Sequence, residues 1–599
     1  MNAPDTLNQL FFTAVDQFST KAAALRFKEG GEWKGVTHQE LARRVQHAAI
    51  GLMELGFQPG DRVAILSENR PEWVVADFAC LTARCADVSI YPTLPAPQVA
   101  YLLQDSGAKG VFVEDAIQYE KVAAVRGEVP GLQYVIVFDV EEGMEGPGVM
   151  SLQELIQRGA GAEERYPNYR QDALAVKRDD LATLIYTSGT TGPPKGVMLT
   201  HYNFCSNVEA GLKVLSIGPD DSCLSLLPLS HSFERMAGYY TMFHCGVTIN
   251  YAESIEQVPA NLREVNPTVV LSVPRLFEKI YARVLENAMA GSALKRRIFF
   301  WARRTAEQWA DLELAKQPIP TALKLKKKIA DKLVFSKLQA RTGGRMRFFA
   351  SGGAPLNPEI AKFFFAAGLV IVEGYGLSET SPMISVNPLD GVHIGTVGPP
   401  IPGVEVKIAE DGEILARGPN IMLGYFNKPE ATKEAIDADG WFHTGDIGEF
   451  DADGYIKITD RKKDIIVTAG GKKIAPQPIE NMIKMNPFVL NAVMIGDKRK
   501  YTALLVVPDV EALRKWAADR NMEADDVAAF LTQPDVIAKV EREVMGSLRD
   551  LASFEMPKKI ALIEEDFSIE RGELTPTLKV KRRAVEKAYK EKIESLYAD

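Results

Sequence analysis

The sequence predicts an α/β fold: a large multi-layered N-terminal part with parallel or mixed sheets and a small β-rich subdomain, followed by a small α+β part. Three observations predict it. Short apolar, β-rich runs alternate with helical patterns through the first 180 residues, and strands separated by helices pair in parallel with both sheet faces covered. The texture changes at about Gly391 to Gly/Pro turns with short strands, and again after the charged run Asp460–Asp464. At 599 residues the chain is also too long for one core, so two or three domains are expected.

Taken in order, Arg62–Leu66 reads as a strand, and Pro71 sits where a first helical residue belongs, ahead of Glu72–Leu81. Gly110–Val113 and Gln133–Phe138 read as strands bounded by turn residues, as does the run Leu181–Tyr186. The pattern resumes with strand Pro267–Val273, helix Pro274–Arg283, strand Met346–Ala350, a helix from Pro358 and strand Gly368–Val372. Val404–Ile408, Gly412–Leu415 and Gly454–Ile458 are the short strands of the β-rich subdomain at 391–460. The C-terminal part brings strands Ala492–Ile495 and Ala503–Val507 and helices Val510–Arg520 and Ala584–Leu596. The expected domains are 1–460 and 461–599. No fixed-period repeat points to a solenoid.

Leu294–Arg347 stands apart, with fifteen Lys or Arg against four Asp or Glu, interleaved at helical spacing with Phe299, Phe300, Trp301, Trp309 and Phe335. One reading is a helical excursion whose apolar face packs on its own domain; the other is a basic amphipathic face lying on an anionic membrane.

Bulk properties narrow the function. The net charge of -9 gives no support to nucleic acid as a partner. Cys80, Cys85, Cys205, Cys223 and Cys245 are scattered without metal-type spacing, as in a cytoplasmic protein with reduced thiols. Met1–Phe18 contains no Lys or Arg, so no cleaved signal is expected, and no apolar run approaches the roughly 18–20 residues that span a bilayer. Membrane contact, if present, is peripheral.

The most informative stretch is Tyr186-Thr-Ser-Gly-Thr-Thr-Gly-Pro-Pro-Lys-Gly196. Gly189, Gly192 and Gly196 permit backbone N–H groups to converge into an anion-binding nest. Thr187, Ser188, Thr190 and Thr191 add hydroxyl donors, and Lys195 adds charge. That inventory suits a polyphosphate. It is not a Walker A loop, which needs Gly-Lys followed by Ser or Thr. The stretch resembles the phosphate loop of the adenylate-forming superfamily, which includes acyl-CoA synthetases, peptide-synthetase adenylation domains and luciferases.

Further segments match that superfamily in order. Ser351-Gly-Gly-Ala-Pro355 resembles the segment that lines adenine, through Gly353, Ala354 and Pro355. Glu373-Gly-Tyr-Gly-Leu-Ser-Glu-Thr380 resembles the Tyr-Gly-x-Thr-Glu element, with Ser378 replacing threonine but keeping the hydroxyl. The resemblance assigns Glu373, Gly374, Tyr375, Gly376 and Ser378 to the nucleotide, with Tyr375 stacking on adenine. It assigns Glu379, with Thr187, to Mg2+, a hard cation suited to carboxylate and hydroxyl oxygens. Trp441–Asp446 resembles the element whose aspartate, here Asp446, binds the ribose, and Arg461 matches the family arginine that reaches the same sugar. Lys463 falls at the family's hinge position, although composition alone makes Asp460–Asp464 a solvated turn. Leu574-Thr-Pro-Thr-Leu-Lys579 resembles the lysine motif of the long-chain branch, in which Lys579 is catalytic.

Leu227–Arg235 points to long-chain acyl-CoA synthetases and puts His231 where the acyl carboxylate meets the adenylate site. Some long-chain relatives carry a gating tryptophan where this chain has Arg235, so the gate is not carried over. The resemblance implies ATP- and Mg2+-dependent ligation of a fatty acid to coenzyme A (CoA) through an acyl-adenylate. By the same analogy a mobile C-terminal domain turns about Lys463 and brings Thr468–Lys473, with Gly470, Gly471 and Lys472, to the CoA path. Alternatives are an aryl- or medium-chain acyl-CoA ligase, a fatty acyl-AMP ligase loading a carrier protein, and a non-catalytic acyl- or nucleotide-binding relative.

Overall fold

The computed structural model describes residues 4–187, 193–518, 520, 522–549, 551–569, 571–575 and 579–598. Among them the N-terminal part holds two eight-stranded sheets and one of four strands. In the first large sheet Ile371–Gly376, Phe348–Ser351, Val269–Ser272, Ser222–Ser225, Thr248–Tyr251 and Leu25–Glu29 are parallel neighbours. Antiparallel Met383–Val386 and Glu32–Val36 flank them. In the second, Val149–Ser151, Tyr134–Val137, Gly110–Val113, Arg62–Leu66, Ala86–Ile90 and Leu181–Thr187 run parallel. Lys195–Thr200 then turns back on Leu181–Thr187, and the two-residue strand Gly424–Tyr425 adds to its outer edge.

One apolar core reaches both large sheets through the helices Leu7–Gln17, Pro71–Thr82 and His201–Val214. Pro71–Thr82 is apolar nearly all round, which suits a helix buried on every side. All five cysteines are buried free thiols. The four-stranded antiparallel sheet joins Glu405–Ile408, Glu413–Arg417, Phe442–Phe450 and Ile456–Arg461. The C-terminal part packs on a sheet of Val489–Ile495, Ala503–Pro508 and Lys559–Leu562, with its own apolar clusters.

Three expectations change. The strand expected at Gly368–Val372 occupies Ile371–Gly376 instead. Gly368, at φ +77°, ends the helix Pro358–Ala366, and the Leu369 N–H closes back on the Phe364 carbonyl. The strand therefore carries the motif residues Glu373–Gly376 themselves. The single helix expected at Ala584–Leu596 is two, Arg582–Ala588 and Lys590–Tyr597, broken at Tyr589, whose ring packs edge-on to Phe567. The charged run Asp460–Asp464 is not a solvated turn at its start. Asp460 is buried at the end of Ile456–Arg461 and accepts the Gln477 N–H at 3.3 Å, which ties the two parts of the chain together.

The basic excursion forms helices Ala293–Leu314, Thr321–Ala330 and Ser336–Arg341, with one π-helical turn at Asp331–Phe335. Phe299, Ala302, Ala306, Ala310, Ala330, Phe335 and Leu338 are buried against the first sheet's outer helices, so this apolar face does pack on its own domain.

Candidate active site

The two strands that flank the glycine-rich stretch are paired: Leu181–Thr187 runs antiparallel to Lys195–Thr200, and Thr187 lies opposite Lys195. Ser188, Gly189, Thr190, Thr191 and Gly192 lie outside the described residues. Both ends of the loop are anchored. The Tyr186 ring is buried, its hydroxyl donates to Asp105 at 2.7 Å, and the Tyr101 hydroxyl donates to the Pro194 carbonyl at 3.0 Å. A side chain at Gly196 would meet the Tyr186 ring at 3.1 Å, so the glycine there permits strand packing rather than ligand approach.

Lys195 does not stand alone. Its ammonium lies 4.8 Å from the centre of the Tyr425 ring, and the Tyr425 hydroxyl donates to Glu379 Oε1 at 2.8 Å. Tyr425 comes from the edge strand Gly424–Tyr425, so the fold brings Lys195 and Glu379 to one aromatic post. Nothing in the spacing of Leu423-Gly-Tyr-Phe426 marked it in the sequence.

The strand Ile371–Gly376 delivers the next group. Tyr375 is buried and its hydroxyl donates to Asp446 Oδ2 at 2.8 Å. Gly374 continues the pairing with Val386. A Cβ at Gly376 would fall 1.6 Å from the Pro382 carbonyl oxygen, so only glycine lets the chain pass there. Ser378 then meets Ser232, hydroxyl to hydroxyl, at 3.2 Å. Glu373 points elsewhere: its carboxylate accepts the Leu356 N–H at 3.3 Å, and burial pushes its pKa up to about 7. It braces the turn Ser351–Pro355, whose Gly353, Ala354 and Pro355 form an exposed ledge with Gly353 at φ +81°.

Asp446 and Arg461 are cross-strand partners in the four-stranded sheet, with Arg461 Nε 3.3 Å from Asp446 Oδ1. Asp446 is buried, which raises its pKa against the pull of Arg461. Lys579 enters from the C-terminal part on a hairpin closed by pairing of Leu574 with Val580. The Thr575 N–H donates to the Lys579 carbonyl at 2.8 Å, and the Lys579 N–H to Thr575 Oγ1 at 3.0 Å. Pro576, Thr577 and Leu578 of this motif lie outside the described residues.

The charges of Arg461, Asp446 and Glu379 act on the Lys579 ammonium, which among the described residues forms an ion pair with none of them. Withdrawal from water and the Arg461 charge bring its pKa down to about 8, despite the two carboxylates. Lys579 also bears on His231. Burial and then the Lys579 charge press the imidazole down to about 4. His231 Nδ1 accepts the Phe233 N–H at 3.1 Å, so the proton of the neutral ring sits on Nε2. Arg235, four residues on, has its side chain engaged elsewhere. It is wholly buried in the π-helical segment Glu234–Tyr240 and bound to Asp77 and Asp87.

Not every expected residue joins the cluster. Lys463 is exposed just after Ile456–Arg461. Gly470, Gly471 and Lys472 form an exposed tight turn between Ile466–Val467 and Lys473–Ile474, with the Lys472 ammonium 5.4 Å from the Phe554 ring.

Comparison with known proteins agrees along the whole chain. The AMP-binding enzyme family model matches residues 11–426, and the AMP-binding enzyme C-terminal domain matches residues 463–599. A long-chain-fatty-acid–CoA ligase of Mycobacterium bovis is 40% identical over 95% of this chain and 93% of its own length. The peroxisomal long chain acyl-CoA synthetase 6 of Arabidopsis thaliana is 34% identical over 95% of this chain and 82% of its own. Among solved structures, the A domain of a carboxylic acid reductase from Segniliparus rugosus, with AMP and a carboxylic acid, superposes with TM-score 0.76 at 21% identity, covering 99% of this chain and 94% of that one. An anthranilate CoA ligase with anthranoyl-AMP gives 0.74 at 19%, covering 98% of each chain. These two share the fold. From the matched models and the near full-length relatives, the chain belongs to the AMP-binding enzyme family.

Proposed function

We propose that this enzyme joins a long-chain fatty acid to CoA through an acyl-adenylate. The observation that carries the reading is the convergence of Lys579, from the C-terminal part, with Arg461, Asp446, Glu379 and His231. The near full-length likeness to long-chain-fatty-acid–CoA ligases supplies the substrate class.

In the first step a carboxylate oxygen attacks the α-phosphorus of ATP, and the bond to the β-phosphate oxygen breaks to release pyrophosphate. Two anions must be brought together, so positioning and charge neutralisation dominate. Thr187, Ser188, Gly189, Thr190, Thr191, Gly192 and Lys195 grip the β- and γ-phosphates. Lys579 neutralises charge developing at the α-phosphate. His231 presents a neutral Nε2–H to the carboxylate or α-phosphate oxygen, a donor role rather than that of a base. Asp446 and Arg461 hold the ribose, and Tyr375 with Gly353, Ala354 and Pro355 holds adenine. Glu379 and Thr187 offer the hard oxygen donors that fit Mg2+, which when bound neutralises phosphate charge.

In the second step the CoA sulfur attacks the acyl carbon, the acyl–phosphate bond breaks and AMP leaves. We assign this step to a second orientation of the C-terminal part, turned about Lys463, with Gly470, Gly471 and Lys472 on the CoA path. The division 1–460 and 461–599 belongs to the same reading. So does peripheral contact with a membrane, where long-chain acids partition; no helix among the described residues is long and apolar enough to cross one.

The test is purified protein with ATP, Mg2+, CoA and acids from short to very long chain, aryl acids included. The expected result is CoA-dependent AMP release and acyl-CoA, highest with long-chain acids. Acyl-AMP without acyl-CoA, or turnover confined to aryl acids, overturns the reading.

A further inference from the structure

The helix Thr321–Ala330 and the turn Asp331–Phe335 that follows carry apolar side chains outward as well as inward. Their inward positions are Leu323, Lys327, Ala330, Val334 and Phe335. Lys327 among them is buried, paired with Asp331 at 2.5 Å and set 4.8 Å from the Trp309 ring. The outward positions carry Leu325, Ile329 and Leu333, exposed to 62%, 45% and 49%. Four-residue spacing stacks Leu325 and Ile329 on one side of the helix, and the π-helical turn adds Leu333 beyond its end. A single exposed leucine is ordinary, but a line of three on a segment that buries a lysine is not what solvation selects.

The line is framed by charge. Lys324, Lys328 and Lys332 run beside it at the same spacing, and Lys326 lies on its other flank. Lys324, Lys326, Lys328 and Lys332 are all exposed, and among the described residues none of them has an ion-pair partner. The segment's excess of fifteen basic over four acidic residues opposes the net charge of -9 of the whole chain.

We propose that this face, Leu325–Ile329–Leu333 with its flanking lysines, docks the enzyme on a bilayer surface rich in anionic phospholipid. The proposal rests on the fatty acyl-CoA ligase reading and names the surface at which the acid is met. Three apolar side chains enter the headgroup boundary while the lysine stems lie along it and their ammonium groups reach lipid phosphates. Charge complementarity picks the occupant: a neutral partner leaves the lysines unpaired, and a purely polyanionic one leaves the apolar line in water. Lys327 takes no part, because Asp331 already holds it.

Co-sedimentation of the full chain with phosphatidylcholine vesicles, with and without phosphatidylglycerol, tests this. The unaltered protein is expected to bind only the anionic vesicles, and more weakly as salt rises. Lys324→Gln, Lys328→Gln and Lys332→Gln together should weaken binding about a hundredfold. Leu325→Ser with Leu333→Ser should weaken it at unchanged charge, while Lys327→Gln does not act through the surface. Thermal melting and activity on octanoate, a monomeric acid, should match the unaltered protein in both surface variants. Binding to anionic vesicles that both surface variants retain overturns this face and leaves membrane contact standing. No vesicle binding by the unaltered protein overturns both, while acyl-CoA formation would still uphold the ligase. Salt-sensitive binding to duplex DNA with none to vesicles assigns the lysines to another polyanion and overturns the proposal.

Discussion

Two arginine–carboxylate centres sit in this molecule, and they do opposite things with the same groups. At the first, Arg235, Asp77 and Asp87 are wholly buried. Arg235 bonds both carboxylates, Thr183 donates to Asp87 at 2.9 Å, and the Tyr239 and Tyr240 hydroxyls donate to Asp77 at 3.1 and 3.0 Å. Burial pushes the Asp77 carboxyl up against the pull of Arg235, and the donors that surround it are themselves sealed from water. At the second, Asp446 is buried but the Arg461 side chain is 43% exposed, and a second cation, Lys579, joins the pair. A closed set of partners, with every charge sealed from solvent, makes structure. An open set, reached by solvent at Arg461 and with a second cation acting on the pair, keeps charge that a ligand can meet.

Removing one partner should separate the two most sharply. Arg235→Ala leaves two carboxylates buried without their cation, and denaturant unfolding should report a loss of about 3–5 kcal/mol. A loss below 1 kcal/mol would mean the centre is relaxed or hydrated. Lys579→Ala should leave the melting curve nearly unchanged and slow acyl-adenylate formation by about 10²–10³-fold, with thioester formation from preformed acyl-adenylate largely spared. Equal loss in both half-reactions would remove Lys579 from its proposed role.

The pH profile sharpens the contrast. Lys579 is charged below its pKa of about 8, so adenylation should fall about tenfold per pH unit above that value. Lys579→Arg, even if slower, should lose this alkaline limb. His231, down at about 4, stays neutral across the assay range and should contribute no acidic limb above pH 5. The smallest effect is expected from Tyr425→Phe, which frees Glu379 of one hydrogen bond of about 1.5 kcal/mol and should lower adenylation about tenfold. An unchanged rate would make Tyr425 only a packing residue.

Legibility followed the physics of each residue. Arg62–Leu66 and Gly110–Val113 were readable to the residue because buried parallel strands are continuous apolar runs ended by turn residues. The stretch from Thr187 to Lys195 reads as a phosphate cradle from its glycines and hydroxyls alone, while residues 188–192 lie outside the described residues. Glu373 read as part of the nucleotide motif, yet its carboxylate holds the Leu356 N–H, a contact between a strand and the turn that leads into the helix Pro358–Ala366. Tyr425 and Ser232 could not be found, since each matters only through a partner far along the chain, Glu379 or Ser378.

The sequence by itself determined the layered α/β architecture, the place of the texture change at Asp460 and the ordered motifs that mark the family. Those depend on local composition and short-range spacing. Only the tertiary structure decided which charges are sealed and which are left open. Nothing local separates Arg235 from Arg461, or inward Lys327 from outward Lys328. Burial and the count of partners separate them, and both are set by strands and helices that the chain brings together from afar.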